Sequence, residues 1–402
     1  MSPRTFRLVL LVSCAHALVH VFELALPSVE QMIGDEFTVG KNVTGMLGSA
    51  WRLPFGFGAF FAGWLSDRYG AKPLLAIYLF GCAATSLIAW HSSLLSALFM
   101  TMFAMGCFAS IYHPAGLALI SHETTAENRG AALGWHGILG SLGIAGAPFM
   151  ASLVFATGNV SWRHYYLLLA APAAVLGLLI LVFLRERHRE TATGQPTSTP
   201  RVPAEIEPAR WKAYFVLIAS GALQGCIYAP FMHFLPRYLG EAGLTPADVS
   251  PAGYRNQLAA TVLLCGVVGQ ALAGRMARPG RLEFQLAAVL LANAPFLAWM
   301  AVADGRQRLW ASCLLALVHF MSQPVYNSLI AQYVPPSRRS MGYGFNNMII
   351  FGIGGIAPTF AGLAPAAHWA QWTYGTLSVA AVLAAALAFS LSRHRPDKKG
   401  SA

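Results

Sequence analysis

His16-x-x-x-His20-x-x-Glu23 places two imidazoles and a carboxylate in one apolar stretch near the start of the chain. On a helix turning 100° per residue, the three side chains fall within about 60° of one another. An ionisable group deep in a bilayer costs several kcal/mol unless it faces a cavity, pairs or neutralises, so a stripe of this kind marks function. Imidazole exchanges protons near neutrality, and a carboxylate beside it completes a relay. Two other readings stay open. Glu23 can pair with Arg52, the lone cation within the second apolar stretch, as a structural lock. His16, His20 and Glu23 can also offer metal donors from one helix face, but a metal geometry then needs ligands from elsewhere.

The elements that position these groups follow from composition. Of 402 residues, 56% are hydrophobic and only 11% are charged, under half the charged share of a soluble domain. The bilayer must therefore be the solvent for most of the chain. A spanning helix needs about 20 residues, and the apolar stretches predict twelve. They begin near residues 8, 43, 73, 95, 130, 164, 212, 252, 283, 308, 340 and 369. The first is kept as a helix and not a signal peptide, because it runs on to about Ser28 without a cleavage site. The expected fold is all-α and integral to the membrane, in two pseudo-symmetric six-helix bundles. Residues 1–184 form the first bundle, 185–211 a Thr/Pro/Gly-rich linker, and 212–402 the second bundle with a short basic tail.

The net charge of +11 does not imply nucleic acid. With the N-terminus inside, alternate loops and both tails collect 20 of the 27 Lys and Arg residues. That is the positive-inside bias, with both termini cytoplasmic. Six cysteines fall inside expected helices with no CxxC spacing, so neither a disulfide framework nor a zinc knuckle is expected.

An offset of 210 residues exposes an internal repeat. His113-Pro114 falls on Gln323-Pro324, Arg129 on Arg339, Gly134-Trp135-His136 on Gly344-Phe345-Asn346, and Ala147-Pro148 on Ala357-Pro358. Leu26-Pro27 meets Leu235-Pro236 within one residue of the same shift. His113 and His136 are expected six or seven residues from the cytoplasmic ends of helices 4 and 5. With Gln323 and Asn346 they are read either as a four-membered inner gate or as local helix-to-helix glue. Pro114 and Pro324 predict kinks at matching places. The glycine ladder Gly134, Gly137, Gly140, Gly143 and Gly146, with its counterpart in helix 11, predicts close helix approach. Trp51, Phe55, Tyr112, Trp135, Tyr228, His319, Met321, Gln323 and Tyr326 are candidate cavity residues, and His233 with Met232 is a candidate outer gate.

The run Gly63-Trp64-Leu65-Ser66-Asp67-Arg68-Tyr69-Gly70-Ala71-Lys72 resembles the loop between helices 2 and 3 of the major facilitator superfamily. That resemblance implies parallel six-helix repeats, a substrate site between them near the midplane, and conformational control by Gly63, Asp67, Arg68, Gly70 and Lys72. The corresponding region of the second half, Gly274 to Gly280, has no acid. The run from Gly106 through Tyr112-His113-Pro114 to Arg129-Gly130 and Gly146-Ala147-Pro148 resembles the fosmidomycin-resistance exporter group. Two departures stand out: Met102 sits where many proton-coupled exporters carry Arg, and Ala147 separates the helix-5 Gly and Pro.

The expected function is secondary transport across the inner membrane by alternating access. His16, His20, Glu23 and Arg52 are expected to couple protons or contact substrate. No Walker loop occurs, no segment is large enough for a catalytic domain, and neither enzyme activity nor a cofactor is expected. The expected cargo is a small amphiphilic or anionic organic compound moving outward, carried by a monomer that takes protons and the lipid bilayer as its other partners. The alternatives are transport of a transition metal or metal chelate through His16, His20 and Glu23, and a ligand sensor on a transporter fold.

Overall fold

The computed structural model describes residues 1–184, 210–276, 280–335 and 338–394. The linker expected over 185–211 lies outside them except for its last two residues, as does the basic tail beyond 394, and the side chain of Asp67 is likewise outside the description.

The chain builds twelve helical rods among the described residues. They are α1 (Pro3–Glu36), α2 (Lys41–Tyr69), α3 (Ala71–His91), α4 (Leu95–Glu123), α5 (Ala126–Val154) and α6 (Trp162–Phe183), then α7 (Trp211–Gly240), α8 (Pro251–Met276), α9 (Leu282–Val302), α10 (Arg306–Tyr333), α11 (339–362) and α12 (Trp369–Ser390). Ten are long and apolar enough to cross a bilayer; α2 and α11 fall outside that set. Both are glycine-rich and lie at the seam between the bundles, where polar and small residues replace lipid-facing ones.

Local chemistry fixes the ends. Ser2 Oγ caps α1 by accepting from the Thr5 amide at 3.1 Å, with Pro3 entering the first turn. Gly70, at φ 87°, forms the single-residue turn between α2 and α3, a conformation glycine adopts without a Cβ clash. At 34 residues α1 spans about 51 Å, more than the ~30 Å hydrocarbon core.

The repeat reappears as packing. α1 lies on α5, α2 on α4 and α3 on α6; α7 lies on α11, α8 on α10 and α9 on α12. The bundles meet along α2–α11, α5–α8 and α1–α7. We call the face carrying the N-terminus the base and the opposite face the crown.

Prolines act differently in the two halves. Pro114 lacks an amide and crowds the carbonyl four residues back, and α4 breaks there, at Ser110–Ile111. No matching break occurs at Pro324, since α10 runs unbroken from Arg306 to Tyr333 with Pro324 inside it. The second half breaks in α11 instead: a π turn at Met348–Ile353 and a 3-10 turn at Gly354–Ile356 precede Pro358. π turns of this kind recur at functional sites.

The helix-5 ladder is also only partly a packing device. A Cβ on Gly143 would stand 2.2 Å from the Ala17 carbonyl oxygen and one on Gly140 would stand 2.2 Å from the His16 ring, whereas Gly134, Gly137 and Gly146 have nothing within 4 Å. Gly143→Ala should therefore lose about 1–3 kcal/mol, while Gly137→Ala should be neutral or gain up to about 1 kcal/mol from helix propensity. Paired thermal unfolding of the two variants in one detergent checks this; equal melting points would refute the contact.

Candidate functional site

The stripe on α1 is the centre of the molecule. Every α1 residue from Val19 to Glu30 is buried, as is His16, so the polar groups there must find partners within the protein. His16 rests on Gly140 of α5, which leaves room for the ring. Its Nδ1–H donates to the His136 carbonyl at 2.7 Å, and its ring stacks on His136 with centroids 3.8 Å apart. A carbonyl only accepts, so the Nε2 of a neutral His16 is an acceptor. His20 Nε2 lies 3.2 Å from it and therefore brings the hydrogen. The other nitrogen of His20, Nδ1, lies 2.8 Å from Glu23 Oε2. One proton is thus shared between His20 and Glu23: either an imidazolium faces a carboxylate, or a carboxylic acid donates to a neutral ring.

Glu23 is 2% exposed and is held from both bundles. Its Oε1 accepts from Arg52 Nη1 of α2 at 2.8 Å and from the Tyr228 hydroxyl of α7 at 3.0 Å. Arg52 also lies over the Tyr228 ring, 5.5 Å from its centroid, and its Nη2 is buried with no hydrogen-bond partner among the described residues. The histidine contact and the Arg52 pairing foreseen for Glu23 therefore coexist in one arrangement.

Around this chain stands an aromatic wall. His113 is edge-on to His16 at 5.3 Å, and it faces Phe55 of α2 at 5.8 Å and Phe351 of the α11 π turn at 6.4 Å. His136 Nε2 lies 3.1 Å from the Tyr112 hydroxyl, which donates to the Val12 carbonyl at 2.7 Å. Across the seam Tyr228 stacks on His319, whose Nδ1 is 3.0 Å from Asn293 Oδ1. Trp51 stacks on Phe55, and Tyr326 is buried with its hydroxyl on the Leu217 carbonyl. Met321 is half-buried in α10, and Trp135 is 45% exposed toward the base, edge-on to Phe6.

The four residues read as an inner gate are placed otherwise. His113 lies ten residues before the end of α4 and His136 ten into α5, about 15 Å from the base and deeper than the six or seven residues expected. The reason is that α5 begins at Ala126, not near 130. At that depth both histidines meet α1. Gln323 accepts from Gln270 Nε2 at 2.9 Å, and Gln270 accepts from the Ser141 hydroxyl at 2.8 Å. Asn346 lies 3.4 Å from its neighbour Asn347. Among the described residues no hydrogen bond joins the four. Toward the base, a Cβ added to Gly130, Gly134 or Gly344 would meet nothing within 4 Å.

The crown is closed by groups that the sequence reading passed over. Glu30 receives two bonds from Arg237, at 2.8 and 3.0 Å, and a third from Thr44. Gln31 accepts from Arg255 at 2.8 Å, and Asn256 donates to the Ser28 carbonyl at 2.9 Å. Glu30 lies seven residues beyond Glu23, as Glu23 lies seven beyond His16, so one face carried the signal. His233 packs nearby against Gly48 of α2, and Met232 is buried beside it. In the last turn of α2 Arg68 lies over the Trp64 and Tyr69 rings, 5.6 Å from each. Gly63 is near Pro114 and Lys72 opens α3.

Residues 11–358 match the sequence profile of the Major Facilitator Superfamily. The chain is 26% identical over 319 residues to the 3-(3-hydroxy-phenyl)propionate transporter of Escherichia coli (strain K12), covering 78% of this chain and 75% of the relative. It is 31% identical to the puromycin resistance protein pur8 of Streptomyces alboniger, over 40% of this chain and 30% of that protein. With the class H tetracycline resistance protein of Pasteurella multocida it shares 25%, over 43% of this chain and 44% of that one. Among solved structures, a bacterial homologue of the human lysosomal transporter Spinster, inward-facing and occupied, superposes with a TM-score of 0.78 at 14% identity, covering 98% of both chains. The D-xylose-proton symporter gives 0.76 at 13%, over 98% and 99%.

Arg52→Met should cost about 3–5 kcal/mol, because it strips a buried carboxylate of its cation. Adding Glu23→Gln should recover much of the loss. A thermal double-mutant cycle checks this, and a double variant no more stable than Arg52→Met would show that the pair is not coupled.

Proposed function

Because this chain belongs to the Major Facilitator Superfamily, a family of transporters, we propose that it moves a small organic anion coupled to protons, by alternating access between the two bundles. The observation that carries this reading is the Glu23 carboxylate shared by His20 and Arg52 of one bundle and Tyr228 of the other.

The physics of that cluster couples the two cargoes. A carboxylate arriving between the bundles finds the free Nη2 of Arg52, beside aromatic walls formed by Phe55, Phe351 and Phe320. Drawing Arg52 toward the anion removes the cation that neutralises Glu23. Glu23 then takes up the proton it shares with His20. Proton and anion thus assist each other's binding, each tightening the other by about 5- to 150-fold if the coupling is of ordinary size. The loaded cluster loses net charge, which lowers the cost of carrying it through the bilayer midplane. The phenylpropionate relative fits an aromatic acid as cargo.

The base is the cytoplasmic side in this reading, as the positive-inside bias has it, in an inner membrane. The conformation is then closed outward by Glu30–Arg237 and open inward, like the Spinster homologue. In this reading Asp67, Arg68 and the Gly70 turn control the motion that shuts the open side.

Outward transport of an amphiphile against protons is the second reading. It is favoured by the two resistance proteins and by the resemblance to the fosmidomycin-resistance exporters.

Proteoliposomes carrying a lumenal pH dye and given 3-(3-hydroxyphenyl)propionate test the first reading. Lumenal acidification that follows anion entry is expected, and Glu23→Gln should abolish the acidification while leaving anion binding in a thermal-shift assay. Alkalinisation on anion entry would install the second reading, and flux without proton movement would sink both.

A further inference from the structure

We propose that His16, His20 and His113 form a binding site for a divalent transition-metal ion of zinc type, with the fourth position left to solvent. The sequence stripe suggested Glu23 as the third donor, but the structure gives that place to His113. One ring nitrogen from each of His16, His20 and His113 lies within 4.8 Å of the others.

Three independent features make this a built site. First, the Nε2 atoms of His16 and His20 stand 3.2 Å apart. Two nitrogens bound tetrahedrally at the usual zinc distance are separated by about 3.3 Å, so the pair already forms one edge of the polyhedron. Second, the far nitrogens are held as metal-ligating histidines require. His16 Nδ1 is fixed by the His136 carbonyl at 2.7 Å, and His20 Nδ1 by the Glu23 carboxylate at 2.8 Å. Each ring therefore turns Nε2 inward; an ion there displaces to solvent the hydrogen that His20 Nε2 otherwise gives His16, while His20 Nδ1–H donates to the Glu23 carboxylate and passes its negative charge toward the ion. Third, His113 Nε2 is buried and has no hydrogen-bond partner among the described residues. A buried ring nitrogen left without a partner is costly, and coordination would satisfy it.

The donor set selects the ion. Three imidazoles without a coordinating carboxylate suit zinc, cobalt, nickel or copper and not calcium or magnesium, which take oxygen ligands. Gly140 supports the arrangement, since any side chain there would push the His16 ring off its place. The site spans α1 and α4 within one bundle and touches the other through Phe351, edgewise to Phe55 and stacked on His113. Binding therefore does not require the bundles to move, and it stands or falls separately from the transport reading.

Cobalt is the probe. Co²⁺ titrated into the purified full-length protein in detergent should give the strong visible ligand-field bands of a tetrahedral centre, displaced by Zn²⁺. His16→Ala, His20→Ala and His113→Ala should each abolish the bands. Glu23→Gln, which removes only the group orienting His20, should weaken binding by about 10–100-fold. His122→Ala, exposed near the base end of α4, should change nothing. His113→Cys guards against loss through misfolding: it should restore binding and add a thiolate-to-cobalt charge-transfer band absent from the parent protein. Absence of tetrahedral bands in the parent, bands that survive His113→Ala, or a His113→Cys variant without the charge-transfer band would each overturn the assignment.

Discussion

The Glu23 carboxylate is the constraint from which the rest of the molecule follows. A charge at that depth is tolerable only if fully paired and hydrogen-bonded, and three helices must converge to do it. Arg52 comes from α2 and Tyr228 from α7, while His20 is on the same helix. Backbone packing makes the convergence possible. Around Arg52, α2 is wedged between glycines of two bundles. Gly106 of α4 sits where a Cβ would be 2.1 Å from the Trp51 carbonyl oxygen, and Gly355 of α11 where one would be 2.9 Å from Arg52 Cβ. Neither approach survives a larger residue, so the cation's position is set by small residues far from it in sequence.

The breaks in α4 and α11 serve the same cluster. Opening α4 at Ser110–Ile111 sets Tyr112 and His113 at the start of a fresh helical segment, against α1. The π turn in α11 brings Phe351 onto His113 and Tyr228. A regular helix in either place would rotate these rings off the seam. The crown ion pair Glu30–Arg237 then fixes α1 to α7 on one side of the cluster.

Much of this was legible in the sequence. Hydrophobic lengths alone located all twelve rods, with starts within about five residues of those observed, since a bilayer demands runs of fixed length. The His16–His20–Glu23 stripe and its link to Arg52 were readable because helix periodicity and the scarcity of intramembrane charge leave few pairings. What could not be read depends on contacts between distant elements. Tyr228 reaching Glu23 is a consequence of how the bundles lean together. His136 joining α1 depends on α5 starting four residues before its apolar run, with polar residues that a hydropathy argument assigns to the loop. Pro114 breaks its helix and Pro324 does not, because a proline only permits a break and packing decides whether the helix takes it.

The internal repeat shows why the chemistry sits in one bundle. By the shift that joins Leu26-Pro27 to Leu235-Pro236, His16, His20 and Glu23 fall on Gly225, Ala229 and Met232. By the neighbouring shift Gly140 falls on Ile350. The His16 ring packs onto Gly140 in the first bundle, and the Ile350 backbone packs onto Gly225 in the second, with a Cβ there only 2.3 Å from the Ile350 carbonyl oxygen. The same helix crossing is thus built twice, with the small residue on opposite partners. Placing it on α5 leaves room on α1 for an imidazole; placing it on α7 brings α11 in close and bars one. Two bundles of one ancestry therefore carry unequal loads: one holds the titratable chain, and the other supplies Tyr228 and Arg237 to grip it from across the seam.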